Sequence, residues 1–229
     1  RDIATYVGSG ALDVGITGRD LLLDSHSEAR EISELSFGDS TFRFAGPAGT
    51  FQDLTDLAGK RVATSYPGLV GSFLSQAGIQ SHLVKLDGAV ESAVRLGVAD
   101  AVADVVSTGS TLRKAGLDIF GPVILESTAV LISRDESIEG ISTLQRRLQG
   151  VLVAKQYVLM DYDVPKKLLD EACAIAPGIE SPTVSPLHDP EWVAVRVMVP
   201  RADRNDVMDK LYDLGARAIL VSAIHAARL

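Results

Sequence analysis

Between Lys60 and Val106 short apolar runs alternate with helix-like segments, and this alternation constrains the fold more than any other feature of the chain. Strand-like runs cover residues 60–64, 81–86 and 100–106, and helix-like segments cover 69–77 and 89–97. Strand–helix–strand units connect by right-handed crossovers. The pattern therefore predicts an α/β unit built on a mostly parallel sheet.

Segments on either side of this unit predict a second lobe. Residues 2–8 are typical of a helix and residues 12–16 of a short buried strand, and a helix is expected from Leu21. Residues 32–37 and 41–45 have strand character, and the apolar run 122–133 predicts a strand that returns to the first lobe. We predict lobe I from residues 1–43 and 124–157 and lobe II from residues 44–123.

The last seventy residues predict a separate module. A long helical pattern over residues 143–160 precedes it. The order strand, helix, strand, strand, helix, strand over residues 158–229 is that of a ferredoxin-like α+β domain. Residues 192–199 alternate, with Val at every second position, and Gly215 is expected to end a helix over residues 204–214.

Composition excludes several classes of function. The 229 residues carry a net charge of −8, which argues against general binding of nucleic acids or anionic membranes. An acidic protein that handles phosphates must concentrate positive potential locally or take it from a metal ion. The single cysteine, Cys173, excludes an intrachain disulfide, and no apolar run is long enough to span a membrane. We expect a cytoplasmic protein.

The stretch Asp104–Leu112 combines an acid at a strand end with a hydroxyl-rich turn around Gly109 and a helix start. Backbone N–H groups and hydroxyls of such a turn suit phosphate oxygens, and the carboxylate suits ribose hydroxyls. The same sequence is also typical of an ordinary strand–turn–helix connection, which is rich in Ser and Thr because these residues cap helices.

Other candidate residues also have two interpretations. Glu91 either complements a helix dipole or faces the same cleft as Asp104, and Asp100 is either a site residue or a surface residue at the strand start. Arg19 suits a phosphate oxygen pair, whereas Asp20 could be a plain N-cap. Tyr66 either stacks on a flat ring or closes a core.

Several chemistries lack support in the sequence. The four histidines show no metal-ligand spacing, so no residue is assigned to a metal. No Gly-x-x-x-x-Gly-Lys-Ser/Thr loop, dinucleotide Gly-x-Gly-x-x-Gly or nucleophile elbow occurs. Covalent catalysis, hydride transfer and a structural zinc are therefore not expected.

Taken together, the motifs resemble the ATP phosphoribosyltransferase family. The matching stretches are Gly15–Leu21, Ala63–Pro67, Leu86–Glu91, Gly97–Ala101 and Asp104–Leu112. Residues 160–165 and 177–187 are similar to the family's long form, which has a C-terminal regulatory module. The family has a segment before the position of Arg1, and the chain starts inside a helix-like segment without Met, so we expect a preceding N-terminal stretch.

The resemblance implies a fold and a reaction. The catalytic part of the family is similar to two-lobed type II periplasmic binding proteins, with the active site between the lobes. The enzyme opens histidine biosynthesis by joining N1 of ATP to C1 of phosphoribosyl pyrophosphate, with release of pyrophosphate and a requirement for Mg²⁺. Such chemistry needs placement and electrostatics more than a protein nucleophile.

The resemblance also implies residue roles. Asp104 would hold ribose hydroxyls and, with Glu91, make up the catalytic pair. The 5′-phosphate would lie in the loop formed by Ser107, Thr108, Gly109, Ser110 and Thr111. The nucleotide would contact Asp20, Ser40 and Tyr66.

The C-terminal module would bind histidine as a feedback inhibitor, with Asp163 pairing its α-amino or imidazole group. The other implied ligand-lining positions are Ile179, Ser181, Thr183, Val197, Met198 and Ala218. The resemblance implies a hexamer in equilibrium with dimers, and inhibition that shifts this equilibrium. The alternative hypothesis is a non-catalytic two-lobed solute-binding or histidine-sensing protein.

Overall fold

The computed structural model describes residues 2–106 and 109–228 of the chain. It divides the chain into two compact units, residues 1–141 and 142–229. The limits predicted above for the two lobes and the regulatory domain stay predictions.

The first unit contains two sheets, and its strands and helices alternate along most of the chain. Its elements are α1 (Asp2–Gly8), β1 (Val14–Gly18), α2 (Arg19–Ser25), β2 (Arg30–Glu34), β3 (Ser40–Pro47), a 3-10 helix (Leu54–Leu57), β4 (Arg61–Thr64), α3 (Pro67–Gln76), β5 (His82–Lys85), α4 (Ser92–Arg95), β6 (Ala101–Val106), α5 (Ser110–Lys114), β7 (Leu117–Ser127) and β8 (Ala129–Ser133).

The smaller sheet has the strand order β1-β8-β2, and both pairs are antiparallel. Helices α1 and α2 cover it, and Ala4, Val7 and Leu22 pack on Val130 and Ile132. Gly15 allows this close packing, because a Cβ atom there would collide with the side chain of Ile3. The return of the chain to this sheet through β8 agrees with the strand expected to re-enter the first lobe.

The larger sheet has the order β5-β4-β6-β3-β7. Strand β4 pairs in parallel with β5 and β6, whereas β3 pairs antiparallel with β6 and β7. Strand β3 alone runs against the other four, because β7, antiparallel to β3, has the direction of β6. The parallel arrangement predicted from residues 60–106 is confirmed for β4, β5 and β6, and β3 makes the sheet mixed. Strand–helix alternation in residues 60–106 carried no information about β3 and β7, which belong to the segments through which the chain passes between the sheets.

Apolar residues fill both faces of the larger sheet. On one face, α3 packs Leu69, Val70 and Leu74 against a cluster that includes Phe42 and Phe44. On the other face, α4 and α5 contribute to a second cluster, whose members include Ala93, Val102, Val106 and Leu112. Asp104 belongs to this second face, because alternate residues of a strand share a side.

Three element boundaries differ from the predictions. The helix expected over residues 89–97 is reduced to α4, because Ala89 has a φ of 49° and directs the chain away from helical geometry. The apolar run 122–133 is two strands separated at Thr128. The helical pattern over residues 143–160 ends at Gln156, where the alternation that begins at Tyr157 forms a strand instead.

The second unit consists of a long helix and a ferredoxin-like module. Its elements are α6 (Ile141–Gln156), β9 (Tyr157–Pro165), a 3-10 helix (Lys166–Leu168), α7 (Leu169–Ile175), β10 (Thr183–Pro186), β11 (Trp192–Pro200), α8 (Arg204–Leu214) and β12 (Arg217–Ala223). The strand order β10-β11-β9-β12 is fully antiparallel. The predicted ferredoxin-like fold and the separate C-terminal domain are confirmed.

Alternation decides which face of this sheet is the core. Val193, Val195, Val197 and Val199 are buried under α7 and α8, and the intervening residues of β11 lie on the opposite face. Gly215 has a φ of 119° and ends α8, as predicted. Within the described part of the chain, no helix combines the length and apolar character needed to cross a membrane.

Candidate active site at the edge of the larger sheet

The three parallel strands of the larger sheet end at one edge, where open α/β sheets bind ligands. The hydroxyl of Ser65, just after β4, donates to the carbonyl oxygen of Leu86 at 2.7 Å. The hydroxyl oxygen of Ser65 also accepts from the N–H of Gly88 at 3.3 Å. These bonds hold together the turns that follow β4 and β5, and the second turn leads to Glu91.

Asp104 lies near the end of β6 and is half-buried. Loss of water around its carboxylate raises its pKa, and the nearby charge of Glu91 raises the pKa further. The N–H of Val105, at 2.8 Å from Oδ1, acts in the opposite direction. The structure therefore brings Asp104 close enough to Glu91 for the charge of Glu91 to disfavour the ionised form of Asp104.

The glycine turn follows directly. Of its five candidate residues, Ser107 and Thr108 lie outside the described residues. Gly109 has a φ of 68°, a left-handed conformation that disfavours other residues, and Ser110 begins α5. Thr111 and Glu91 both line a cavity of about 230 Å³ between α4 and α5. Three candidate positions, Glu91, Gly109 and Thr111, are therefore close to the Asp104 face.

Arg43 was not identified from the sequence. It lies opposite Asp104 in the β3–β6 register, so both side chains project from the same face. One terminal nitrogen, Nη2, donates to the carbonyl oxygen of Gly121 at 3.0 Å, and its buried Nε has no hydrogen-bond partner within the described residues. The signal in the sequence is a lone charge between Phe42 and Phe44 in an apolar strand.

Asp20 is buried in the first turn of α2 and does not cap it. The N-cap is Gly18, and the Asp20 carboxylate accepts a hydrogen bond of 2.8 Å from the hydroxyl of Ser127. The Ser127 oxygen in turn accepts from the Asp20 N–H at 3.1 Å. The N-cap interpretation of Asp20 is wrong, because this side chain instead binds the connection between β7 and β8.

Arg19 is already paired. Its guanidinium donates to Glu31 at 2.7 and 2.9 Å and to Glu34 at 2.9 Å, which raises the pKa of the arginine. The expectation that Arg19 offers a free charge to phosphate is corrected by this arrangement. A phosphate at this position would have to displace two carboxylates.

Ser40 lines a cavity of about 410 Å³ between the two sheets, together with Thr41, Val106 and Ser127. Through Val106 the cavity reaches the end of β6, and through Ser127 it reaches the hydrogen-bond partner of Asp20. Two of the three nucleotide candidates, Ser40 and Asp20, are thus joined through Ser127.

Asp100 is a surface residue at the start of β6, whereas Tyr66 contacts the core and is also partly accessible at the edge of the sheet. The Tyr66 ring packs edge-to-face on Phe42, with centroids 5.0 Å apart, and contacts the core while remaining half-buried. Asp100 forms an ion pair with Arg61 at 2.8 Å at the opposite end of β6 from Asp104.

A second residue missed by sequence analysis is Asp24. Its Oδ1 accepts from the N–H groups of Gly68 and Leu69, at 2.8 and 3.1 Å, and thereby caps α3 from another helix. Sequence spacing gives no sign of this contact, because 44 residues separate Asp24 from Gly68.

The histidine-site candidates are distributed over more than one side of the C-terminal sheet. Asp163 and Met198 lie on the face opposite the helices, since their neighbours along β9 and β11 are buried. Val197 is 3% exposed and belongs to the core, so its side chain is not on the Asp163 face. Gly178, next to Ile179, lies against this valine.

The remaining histidine-site candidates are exposed. Ser181 lies in the loop before β10, and Thr183 lies on β10 itself, at the edge of the sheet. Ala218 occupies an irregularity of β12 with a φ of 50°.

Among residues 2–106 and 109–228, no group of three or more His, Cys, Asp or Glu side chains is positioned to hold a metal ion. Mg²⁺ that accompanies a nucleotide or a pyrophosphate commonly uses only one or two carboxylates, with phosphate oxygens and water as its other ligands. Asp104 and Glu91 fit that more limited role.

Comparison with known proteins identifies the family. The profile of the ATP phosphoribosyltransferase family matches residues 1–150, and the profile of the C-terminal domain of that family matches residues 154–226. ATP phosphoribosyltransferase of Paenarthrobacter aurescens is 63% identical over 236 residues, which cover 100% of this chain and 82% of the relative. The Streptomyces avermitilis enzyme of the same name is 57% identical over 235 residues, with the same coverage.

One solved structure has a similar fold. The ATP phosphoribosyl transferase (HisG:HisZ) complex from Thermotoga maritima aligns with a TM-score of 0.59 and 26% identity. The alignment covers 66% of this chain and 75% of that chain.

Proposed function

The chain belongs to the ATP phosphoribosyltransferase family, which catalyses the first step of histidine biosynthesis, and on this premise we propose where its reaction takes place. The sugar of phosphoribosyl pyrophosphate lies at the end of β6, and ATP lies between the two sheets of the first unit. The observation that carries this assignment is the proximity of Asp104 and Glu91 directly before the left-handed turn at Gly109.

In this assignment the 5′-phosphate is held by Ser107, Thr108, Gly109, Ser110 and Thr111. Gly109 supports the role, because its positive φ and lack of a Cβ let backbone N–H groups approach an anion closely. Asp104 accepts hydrogen bonds from the ribose hydroxyls. Arg43, on the same face as Asp104, supplies positive charge that the acidic chain must concentrate near its phosphates.

The nucleotide contacts Asp20, Ser40 and Tyr66. The cavity between the sheets supports the first two positions, since Ser40 lines it and Asp20 binds Ser127 on its wall. Tyr66 is half-buried, and packing against Phe42 fixes the orientation of its ring beside the edge of the sheet, where the ring could stack on a base.

The chemistry follows from charge. The lone pair of adenine N1 forms a bond to C1 of the ribose, while the C1–oxygen bond breaks and its electrons leave with pyrophosphate. Positive charge develops on the ribose, and the carboxylates of Asp104 and Glu91 stabilise it electrostatically. Asp104 and Glu91 would be the residues that hold Mg²⁺, whose positive charge would make pyrophosphate a better leaving group.

A direct assay tests this function. Purified enzyme mixed with ATP, phosphoribosyl pyrophosphate and Mg²⁺ should release pyrophosphate, and omission of either substrate should abolish the signal. The absence of pyrophosphate release in the complete mixture would refute the proposal.

The C-terminal domain is proposed to bind histidine as a feedback inhibitor. Support comes from Asp163, a half-buried carboxylate opposite Ala194 on the sheet face away from α7 and α8, the face to which Met198 also belongs. Ile179, Ser181, Thr183 and Ala218 complete the proposed pocket, and Val197 supports it from the core side. Hexamers in equilibrium with dimers, in the cytoplasm, are the proposed setting for this regulation.

Asp163→Ala tests the regulatory proposal. The variant should release pyrophosphate at the wild-type rate and no longer respond to histidine, because a ligand ammonium or imidazolium loses its counter-charge. The matched control is Asp170→Ala, which removes an exposed carboxylate from α7, on the helix-covered side of the same sheet. Equal loss of histidine inhibition in both variants would contradict the assignment.

A further inference from the structure

Two short helices of the first unit meet although each follows a strand of a different sheet. Helix α2 follows β1 of the smaller sheet, and α3 follows β4 of the larger sheet. Each helix also begins at a proposed nucleotide contact, Asp20 for α2 and Tyr66 for α3. Their contact therefore joins the two sides of the proposed nucleotide cavity.

Asp24 forms the centre of this contact. Its side chain is 8% exposed, and Oδ1 accepts from the second and third residues of α3, Gly68 at 2.8 Å and Leu69 at 3.1 Å. The N-cap residue of α3 is Tyr66, whose side chain makes no capping bond. The cap that a helix normally takes from its own chain neighbour is supplied here by the other sheet's helix. The negative charge of Asp24 also complements the positive end of the α3 dipole.

Gly68 makes the close approach possible. A Cβ atom at this position would lie 2.5 Å from the carbonyl oxygen of Asp24 and 2.7 Å from Nε2 of His26, the residue that ends α2. Any side chain at position 68 would push the two helices apart, so the backbone of α3 rests directly on the end of α2.

This contact is separate from the proposed sugar site. Helix α3 covers the face of the larger sheet that contains Phe42, whereas Asp104, α4 and α5 belong to the opposite face. A change in the α2–α3 contact should therefore move Tyr66 relative to Asp20 and leave the Asp104–Glu91 pair in place.

We infer that Asp24 is a positioning residue for the nucleotide, a latch between the two sheets that fixes the separation of Asp20 and Tyr66. The inference rests on the proposed function and adds a residue that touches neither substrate. Asp24 acts through the N-terminus of α3, and Gly68 is the residue of α3 against which the end of α2 packs.

Two variants open the latch by different means. Asp24→Ala removes the acceptor, and Gly68→Ala inserts a methyl group into the contact. Each should raise the KM for ATP by about threefold to thirtyfold, the range expected for loss of a helix cap. The KM for phosphoribosyl pyrophosphate and kcat should stay within about twofold of wild type. Because both variants break one contact, the double variant should be no worse than the more affected single variant.

The chain offers a matched control for each variant. Asp53→Ala also removes a helix-capping carboxylate, which accepts from the Thr55 N–H at 2.7 Å, but it caps the 3-10 helix of its own lobe. Gly71→Ala makes the same exchange three residues further along α3, where a Cβ atom would meet only Leu83 at 3.4 Å. Both controls should keep the wild-type KM for ATP.

The outcomes separate the inference from the function it rests on. A wild-type enzyme that releases no pyrophosphate refutes the proposed function. An active wild type with the same KM for ATP in Asp24→Ala and Asp53→Ala overturns the latch, and so does an equal rise in both KM values. If Asp24→Ala does not fold, Asp24→Asn and Gly68→Ala decide the question through the calorimetric affinity for ATP, which must fall in at least one of them.

Discussion

The two ends of β6 each carry an aspartate, and the surroundings of these residues act on them in opposite directions. Asp100, immediately before the strand, forms an ion pair with Arg61 that lowers the pKa of its carboxyl to about 2. Asp104, near the other end, is withdrawn from water beside a second acid, Glu91, and its pKa is raised. The two carboxylates are four residues apart on one chain segment.

The difference indicates what each end of the sheet is for. At the start of the strand the charge is neutralised by a partner and contributes to stability. At the end of the strand, the surroundings of Asp104 disfavour its ionised form. A ligand that supplies compensating positive charge or hydrogen-bond donors would therefore interact strongly with this carboxylate. Perturbed carboxylates at the carboxyl edge of an α/β sheet are therefore candidates for chemistry, while paired ones at the amino edge are not.

The largest effect should come from removing the charge at the functional end. Asp104→Asn should lower the rate of pyrophosphate release by about a hundredfold to a thousandfold, the usual effect of losing one preorganised electrostatic contact. Its affinity for histidine, measured by calorimetry, should be unchanged. Turnover within a factor of a few of wild type would remove Asp104 from the proposed site.

A smaller effect should follow from Glu91→Gln. The Glu91 charge raises the pKa of Asp104, so its removal should lower that pKa and move the acid limb of the kcat/KM profile toward lower pH. The measurement is the pH dependence of pyrophosphate release. Glu139→Gln, an exposed acid in the turn before α6, is the control and should leave the limb in place.

The smallest effect should come from the paired end of the strand. Asp100→Asn should cost about 0.2–1 kcal/mol of folding stability at pH 7, since both members of the pair are substantially exposed. Its folded pKa lies below the ordinary value, so the stabilisation is present above pH 4 and is lost as the pH falls toward 2. Urea unfolding at pH 7 and pH 3 measures this difference, which should fall to roughly half at the lower pH, while turnover at pH 7 should match wild type.

The features that could be predicted from the sequence are those that depend on interactions between residues close together in the chain. Alternation along residues 192–199 and the helix end at Gly215 depend on neighbours in the chain, and the structure confirms both. The order of motifs also sufficed to place this chain in its family.

Features made by distant segments could not be predicted. The antiparallel insertion of β3 between β6 and β7, the bond between Asp20 and Ser127 across 107 positions, and the capping of α3 by Asp24 each join segments far apart in sequence. No local sequence pattern identifies such a partner, because an acidic residue on an amphipathic helix looks the same in the sequence whichever distant group it contacts. The interlobe part of the candidate site was therefore beyond sequence reasoning.

The two passages of the chain between the sheets are bonded to each other. Leu35 donates its N–H to the carbonyl oxygen of Ala129 at 2.9 Å, and Ala129 donates to that of Phe37 at 2.9 Å. Neither passage can therefore change its course without the other unless these two hydrogen bonds break, so any change in the angle between the two sheets would have to involve both passages.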